Sequence, residues 1–197
     1  MRVHVNTPTR GTSVRPEHAL FREWLLTHET RYELVGRYTE GYPISVSRNR
    51  IVAAFLADTE AGYLLMLDDD QVPTCNPLDY IERDLDVLGF PYPTIRVNDP
   101  GQIFWFPCEA EEGAGPVKSE VVGGGCFLIA RRVLEHPALV WPFIERFNDD
   151  GTICTGEDVQ FCRRVWGAGF TIWIALSQPL LHWKIGEVLG LWEARNK

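Results

Sequence analysis

Tyr63-Leu64-Leu65-Met66-Leu67-Asp68-Asp69-Asp70 decides the fold: five apolar residues, preceded by Gly62, run straight into three adjacent carboxylates. A run so short and so apolar fits a strand buried on both faces, as in a parallel sheet covered by helices. Such sheets bind ligands beyond the carboxyl ends of their strands, where these aspartates sit. Three neighbouring carboxylates repel one another, and a divalent cation would relieve that repulsion while attracting phosphate oxygens. In an extended segment alternate residues point the same way, so Asp68 and Asp70 face one site and Asp69 another. Oxygen ligands select a hard ion, Mg2+ or Mn2+. The plainer alternative is a solvated acidic turn that caps the segment after Pro73.

Upstream, Val3-His4-Val5 reads as a strand that stops at the polar loop Asn6-Thr7-Pro8-Thr9-Arg10-Gly11. Pro16 opens a helix in which Leu20, Phe21, Trp24 and Leu25 recur with helical period. A strand follows near Glu33-Leu34-Val35, then a turn over Gly41 to Pro43. Ser47 is expected to cap a helix carrying Ile51, Val52, Phe55 and Leu56 and ending near Thr59. Downstream, Asn76 or Thr74 caps a helix through Leu78, Ile81 and Leu85, and Val87-Leu88-Gly89-Phe90 is the next strand. This β-α-β-α-β rhythm predicts an α/β fold, a three-layer α/β/α sandwich on a mostly parallel, Rossmann-like sheet.

The middle of the chain departs from that rhythm. Ile103-Phe104-Trp105-Phe106 and Phe127-Leu128-Ile129 are strands separated by an acidic loop and by Gly123-Gly124-Gly125, which predicts a small antiparallel, hairpin-like addition. Arg131 to Leu134 reads as a short helix. Thr155 is expected to cap a helix with Val159, Cys162, Val165 and Trp166, closed by Gly167 and Gly169. Thr171 to Ile174 is a last strand, and a closing helix is expected near Val188 to Ala194. With no repeat or linker, a single domain over residues 1–197 is expected.

The 197 residues are 45% hydrophobic, enough for a real core, and 27 acidic against 19 basic residues give a formal charge of -8. That surface repels nucleic acid and anionic membrane, and no dense Lys/Arg block offsets it. Cys75, Cys108, Cys126, Cys154 and Cys162 form no C-x-x-C pair, which argues for reduced thiols and a cytoplasmic setting. No apolar run is long enough for a transmembrane segment. Trp183 and Trp192 read as core-facing.

Four stretches carry a resemblance. The run Tyr63 to Asp70 looks like the strand and Asp-x-Asp motif of glycosyltransferases of the A-type fold, especially the family 2-like group. Ser47-Arg48-Asn49-Arg50 resembles that group's arginine-asparagine helix start. Gly156-Glu157-Asp158 with the helix after it resembles the Gly-Glu-Asp segment, and His182-Trp183 the late histidine. The motifs stand in family order over roughly Val3 to Lys184.

The resemblance implies the roles. Residues 1–95 become the nucleotide-binding half, and 96–197 the acceptor-binding and catalytic half. The loop with Thr7, Pro8 and Arg10 receives base and ribose, with Arg10 offering a fork of donors. Arg48 and Asn49, at a helix start, favour an anion through free amides. Asp68 and Asp69 sit against the donor, Asp68 near ribose or metal, and Asp70 and His182 complete the metal site. Asp158 is the base that takes the acceptor hydroxyl's proton, and Glu157 orients the acceptor or a neighbouring side chain. The three glycines are no dinucleotide fingerprint, and they permit close approach of a sugar, with Gly124 at the donor. Capping and solvation are the plainer readings of Glu157, Asp158, Arg48 and Asn49, and a flexible connector that of the glycines.

The expected activity is metal-dependent sugar transfer from a UDP- or GDP-sugar to a hydroxyl acceptor, inverting by single displacement. A retaining enzyme on the same fold, a metal-dependent nucleotide-sugar phosphohydrolase and a non-catalytic nucleotide-sugar binding protein stay open as alternatives. With fifteen residues after His182, acceptor binding is expected to use a partner, a second copy or an open cleft.

Overall fold

The structure is a computed structural model; it describes residues 1–9, 14–96, 99–106 and 115–182, with side chains for all of these except 94–96 and 99–106. Arg10, Cys108, Trp183, Trp192 and the expected closing helix lie outside the described residues, and so does the side chain of Trp105.

In chain order, strand β1 spans Arg2–Thr9, helix α1 Pro16–His28, β2 Glu33–Glu40, α2 Ile44–Ala57 and β3 Ala61–Leu67. Strand β4 (Gln71–Pro73) precedes a 3-10 helix over Pro77–Arg83, then β5 (Val87–Gly89), β6 (Tyr92–Arg96), β7 (Asp99–Phe106) and β8 (Val117–Lys118). Strand β9 (Cys126–Ala130) runs into helix α3 (Arg131–Leu134) and a 3-10 turn over Pro137–Leu139. Last come β10 (Arg146–Phe147), β11 (Ile153–Thr155), α4 (Glu157–Gly167), β12 (Ile172–Ile174) and β13 (Leu180–His182).

The central sheet has seven strands in the order β2-β1-β3-β9-β5-β12-β8. Strands β2, β1 and β3 are parallel, β9 is antiparallel to both β3 and β5, and β12 is parallel to β5. Five strands therefore share one direction, and β9 and β8 oppose it. Strand β3 sits mid-sheet with Leu64 to Leu67 fully buried, which is why its sequence shows no alternation. Successive residues of β1 meet different helices. Thr7 Oγ1 lies 3.0 Å from His18 Nε2 of α1, whereas the His4 ring meets Phe55 of α2 edge-on at 5.5 Å. Odd and even strand positions face opposite ways, so α1 and α2 cover opposite faces of the sheet. No helix among the described residues is long and apolar enough to cross a membrane.

Several expectations need correction. Helix α2 begins at Ile44 after Pro43, and Ser47 lies within it, donating its hydroxyl to the Thr39 carbonyl instead of capping. Arg48 and Asn49 therefore sit past the first turn, where their amides are used by the helix. The segment through Leu78 is a 3-10 helix, capped by Asn76, whose side chain accepts from the Leu78 amide at 3.0 Å. Gly156, not Thr155, is the N-cap of α4, with no side-chain cap, and Thr155 ends β11. Strand β1 continues through Thr7, Pro8 and Thr9, so these residues form strand rather than loop. The expected hairpin exists with another partner: β7 pairs with β6, and the Phe127 strand enters the central sheet.

Candidate active site

The site forms where β3 ends. The Asp68 amide donates to the Gly125 carbonyl at 3.0 Å, because β9 starts beside Leu67 and runs back along β3. Strand β4 leaves the acidic run at once and pairs with β13, placing His182 opposite Gln71. Three stretches far apart in sequence thus reach one rim at the carboxyl end of the parallel strands.

At the centre is Arg48, 2% exposed, reaching across from α2. Its Nη2 donates to both Asp68 oxygens, at 2.9 and 3.0 Å, and to the Gly124 carbonyl at 3.1 Å. Its Nη1 lies 3.5 Å from Glu157 Oε1. The guanidinium packs over Phe127 and Phe143, 5.8 and 5.6 Å from their ring centroids, and Phe143 stacks on Phe161 of α4 at 4.6 Å. So held, Arg48 addresses the protein's own carboxylates, Asp68 and Glu157. Asn49 has a scaffold role here: its side-chain amide donates to the Phe143 carbonyl at 2.7 Å and accepts from the Phe143 amide at 3.0 Å.

The three glycines are explained by what approaches them. A Cβ on Gly123 would lie 2.3 Å from the Tyr92 hydroxyl, one on Gly124 2.1 Å from Arg48 Nη1, and one on Gly125 2.7 Å from the Gln71 side chain. The sequence showed room for close approach, but three polar side chains of the protein itself fill it, Arg48 and Gln71 buried and Tyr92 partly so. The Gly124 amide donates to Asp158 Oδ2 at 3.2 Å, and the Val159 amide to Asp158 Oδ1 at 2.7 Å, so the α4 start and the glycine turn together orient Asp158.

Carboxylates outnumber cations here. Burial pushes Asp68 up to about 7 against the pull of Arg48, with Asp70, Glu157 and Asp69 adding to the rise. Burial also raises Glu157, again opposed by Arg48 and reinforced by Asp158. Such a cluster favours a further positive charge. His182 Nδ1 lies 2.8 Å from the Pro93 carbonyl, which only accepts, so this nitrogen carries the proton. Nε2 then faces Asp70 Oδ2 at 3.5 Å, across a gap suited to a proton or a metal ion. Among the described residues no group of three or more His, Cys, Asp or Glu is arranged to hold a metal ion. The structure brings Asp70 and His182 together and pairs Asp68 with Arg48.

Sequence reasoning missed Tyr92, whose ring meets His182 edge-on at 5.6 Å. Burial, with Asp158 and Asp68 nearby, raises its phenol, so it stays an O–H donor. It also missed His18, which joins Thr7 to the Gln71 carbonyl at 3.1 Å and braces β1 against β4. Neither has a sequence signal: a tyrosine after an apolar strand and a histidine on a helix both read as ordinary packing.

No protein-family model matches the chain, and no curated protein matches it. Among solved structures, A197 from STIV is 20% identical with a TM-score of 0.60, covering 92% of this chain and 85% of that one. GalNAc-T7, solved with UDP, GalNAc and Mn2+, is 12% identical with a TM-score of 0.50, covering 91% of this chain but 42% of its own. A glycosyltransferase involved in glycosylation of the PBCV-1 major capsid gives 13% identity, a TM-score of 0.42, and coverage of 71% and 65%. The likeness is carried by the first two. It shows a shared mixed α/β fold and leaves substrate and chemistry to the site.

Proposed function

We propose that this chain is a metal-dependent glycosyltransferase that moves a sugar from a UDP- or GDP-sugar to a hydroxyl acceptor with inversion. The observation that carries this reading is the rim itself: the acidic run, the glycine turn and the start of α4 meet around one buried arginine, and His182 faces Asp70 of the same acidic run. Residues 1–95 then form the nucleotide-binding half of an α/β/α sandwich and residues 96–197 the acceptor-binding and catalytic half. Thr7 and Pro8 lie at the base end of the donor site, with Asp69 along it, and Gly124 serves the site by admitting Arg48.

Asp70 and His182 would hold the metal, and its mixed oxygen and imidazole donors suit Mn2+ somewhat better than Mg2+. When bound, the metal supplies Lewis-acid stabilisation of the departing nucleoside diphosphate. Arg48 opposes the protonation that burial favours at Asp68 and aims its carboxyl at the donor. Asp158, fixed by the Gly124 amide and the α4 start, takes the proton of the acceptor hydroxyl, and Glu157 orients it.

Thermal shift with UDP-, GDP-, CDP- and dTDP-sugars, with and without Mn2+, tests the donor site; a stabilised fold is expected only with the metal and the right base. With that donor, Asp158→Asn is expected to lower kcat at least about a hundredfold while leaving donor binding intact. Unchanged transfer would remove Asp158 from the role. Release of nucleoside monophosphate without transfer would point instead to a phosphohydrolase.

A further inference from the structure

Large apolar side chains are distributed unevenly over the surface. Of twelve that are exposed among the described residues, five lie between positions 140 and 153: Val140, Trp141, Ile144, Phe147 and Ile153. Surface apolar residues are normally scattered singly, so five in one stretch of chain call for a reason, and two of them are neighbours in space. Phe147 and Ile153 are cross-strand partners in the β10–β11 ribbon, so their side chains share one face, and they are 55% and 58% exposed. A two-stranded ribbon has no second layer to bury that face.

The other end of the stretch is equally deliberate. Trp141 is in the left-handed region with φ 49° and is 61% exposed. Arg164 holds it there, donating to the carbonyls of Ala138, Val140 and Trp141 at 2.7, 3.0 and 2.6 Å. Val140 to Pro142, with Val52, Ala53 and Leu56 of α2, wall a cavity of about 450 Å3, in the range that takes a small apolar ligand.

Position says what covers this surface. Strand β11 ends at Thr155, and Glu157 and Asp158 follow after a single glycine. Glu145, just before β10, lies 3.5 Å from the Ser45 hydroxyl of α2 and is near enough to Glu157 to raise it. From Ile153 to Asp158 the chain spans at most about 17 Å. One ligand can therefore present a hydroxyl to Asp158 and lay an apolar part on the ribbon. Glu145, Asp149 and Asp150 against Arg146 make the stretch net acidic, which disfavours an anionic lipid surface.

We infer that the acceptor is a neutral amphiphile, a hydroxyl-bearing head joined to an apolar tail, and that Phe147 and Ile153 bind its tail. This rests on the glycosyltransferase reading for the role of the head, but the apolar contact can be measured without turnover. Saturation-transfer NMR with n-octyl and methyl β-D-glucoside, below the micellar concentration, gives the direct comparison. The octyl compound is expected to bind, with saturation strongest along its chain, and the methyl compound to bind at least about tenfold more weakly. Phe147→Ser/Ile153→Ser, at exposed positions, is expected to keep its melting temperature and its nucleotide response and to lose the octyl preference. Phe147→Ser alone serves should the double variant unfold. Octyl binding that survives these substitutions overturns the inference, as does equal binding of both glucosides or loss of vesicle binding in the variant in place of glucoside binding. Octyl binding lost in the variant, with no nucleotide response in the wild type, would keep the surface and remove the transferase.

Discussion

Arg48 is the residue on which the rim depends. A buried guanidinium facing two carboxylates costs much desolvation, recovered only through its partners, so removing it strands Asp68 and Glu157. Arg48→Met is expected to lower stability by about 3–5 kcal/mol in urea unfolding, and adding Asp68→Asn to recover part of that. The glycine turn offers a paired test. Gly124→Ala places a methyl 2.1 Å from Arg48 Nη1 and is expected to cost about 2 kcal/mol or more, whereas Gly167→Ala meets nothing within 4 Å at the end of α4 and is expected to stabilise by about 0.5 kcal/mol. Equal effects in thermal melts would contradict this account of the turn. The Asp68-Asp69-Asp70 run was legible because charge after a buried strand is costly enough to need a reason. Arg48 was legible only as a cation near a helix start: the sequence cannot say that its helix begins four residues earlier, or that Asp68 would claim it.

At the scale of elements, β3 could be read directly, since a strand buried on both faces has to be uniformly apolar. The same uniformity hid the direction of β9: an all-apolar strand pairs either way, and periodicity carries no sign for antiparallel. Helix α1 is anchored at its end by Glu29, which accepts from Asn76 at 2.9 Å and pairs with Arg31. Its hydrogen bond from Arg31 is the largest influence, and the carboxyl falls to about 2. A depressed carboxyl contributes stability fully present above its unfolded value, near 4.5, and lost as pH falls through about 2. Glu29→Gln is therefore expected to be less stable than wild type by about 1 kcal/mol at pH 7, the difference vanishing as pH falls below about 2. A difference independent of pH in denaturant titrations would assign the effect to packing.

For the whole molecule, burial of the thiols follows from where the sheet and α4 meet. Cys126 lies in β9 and Cys162 in α4, both fully buried, and burial pushes the Cys162 thiol up to about 12 and Cys126 well above its ordinary value. Cys154 is exposed on β11. Peptide mapping after brief thiol labelling at pH 8 is expected to find Cys154 modified and Cys126 and Cys162 untouched until denaturant is added; rapid labelling of Cys162 would mean that α4 does not pack as described.

The central claim is that the rim holds a divalent ion between the acidic run and His182. Crystals soaked in MnCl2 and UDP test it by anomalous diffraction. One strong manganese peak is expected at Asp70 and His182 when the nucleotide is bound. Nucleotide bound with no metal there, or metal seated elsewhere while Asp70 and His182 stay as they are, would contradict it.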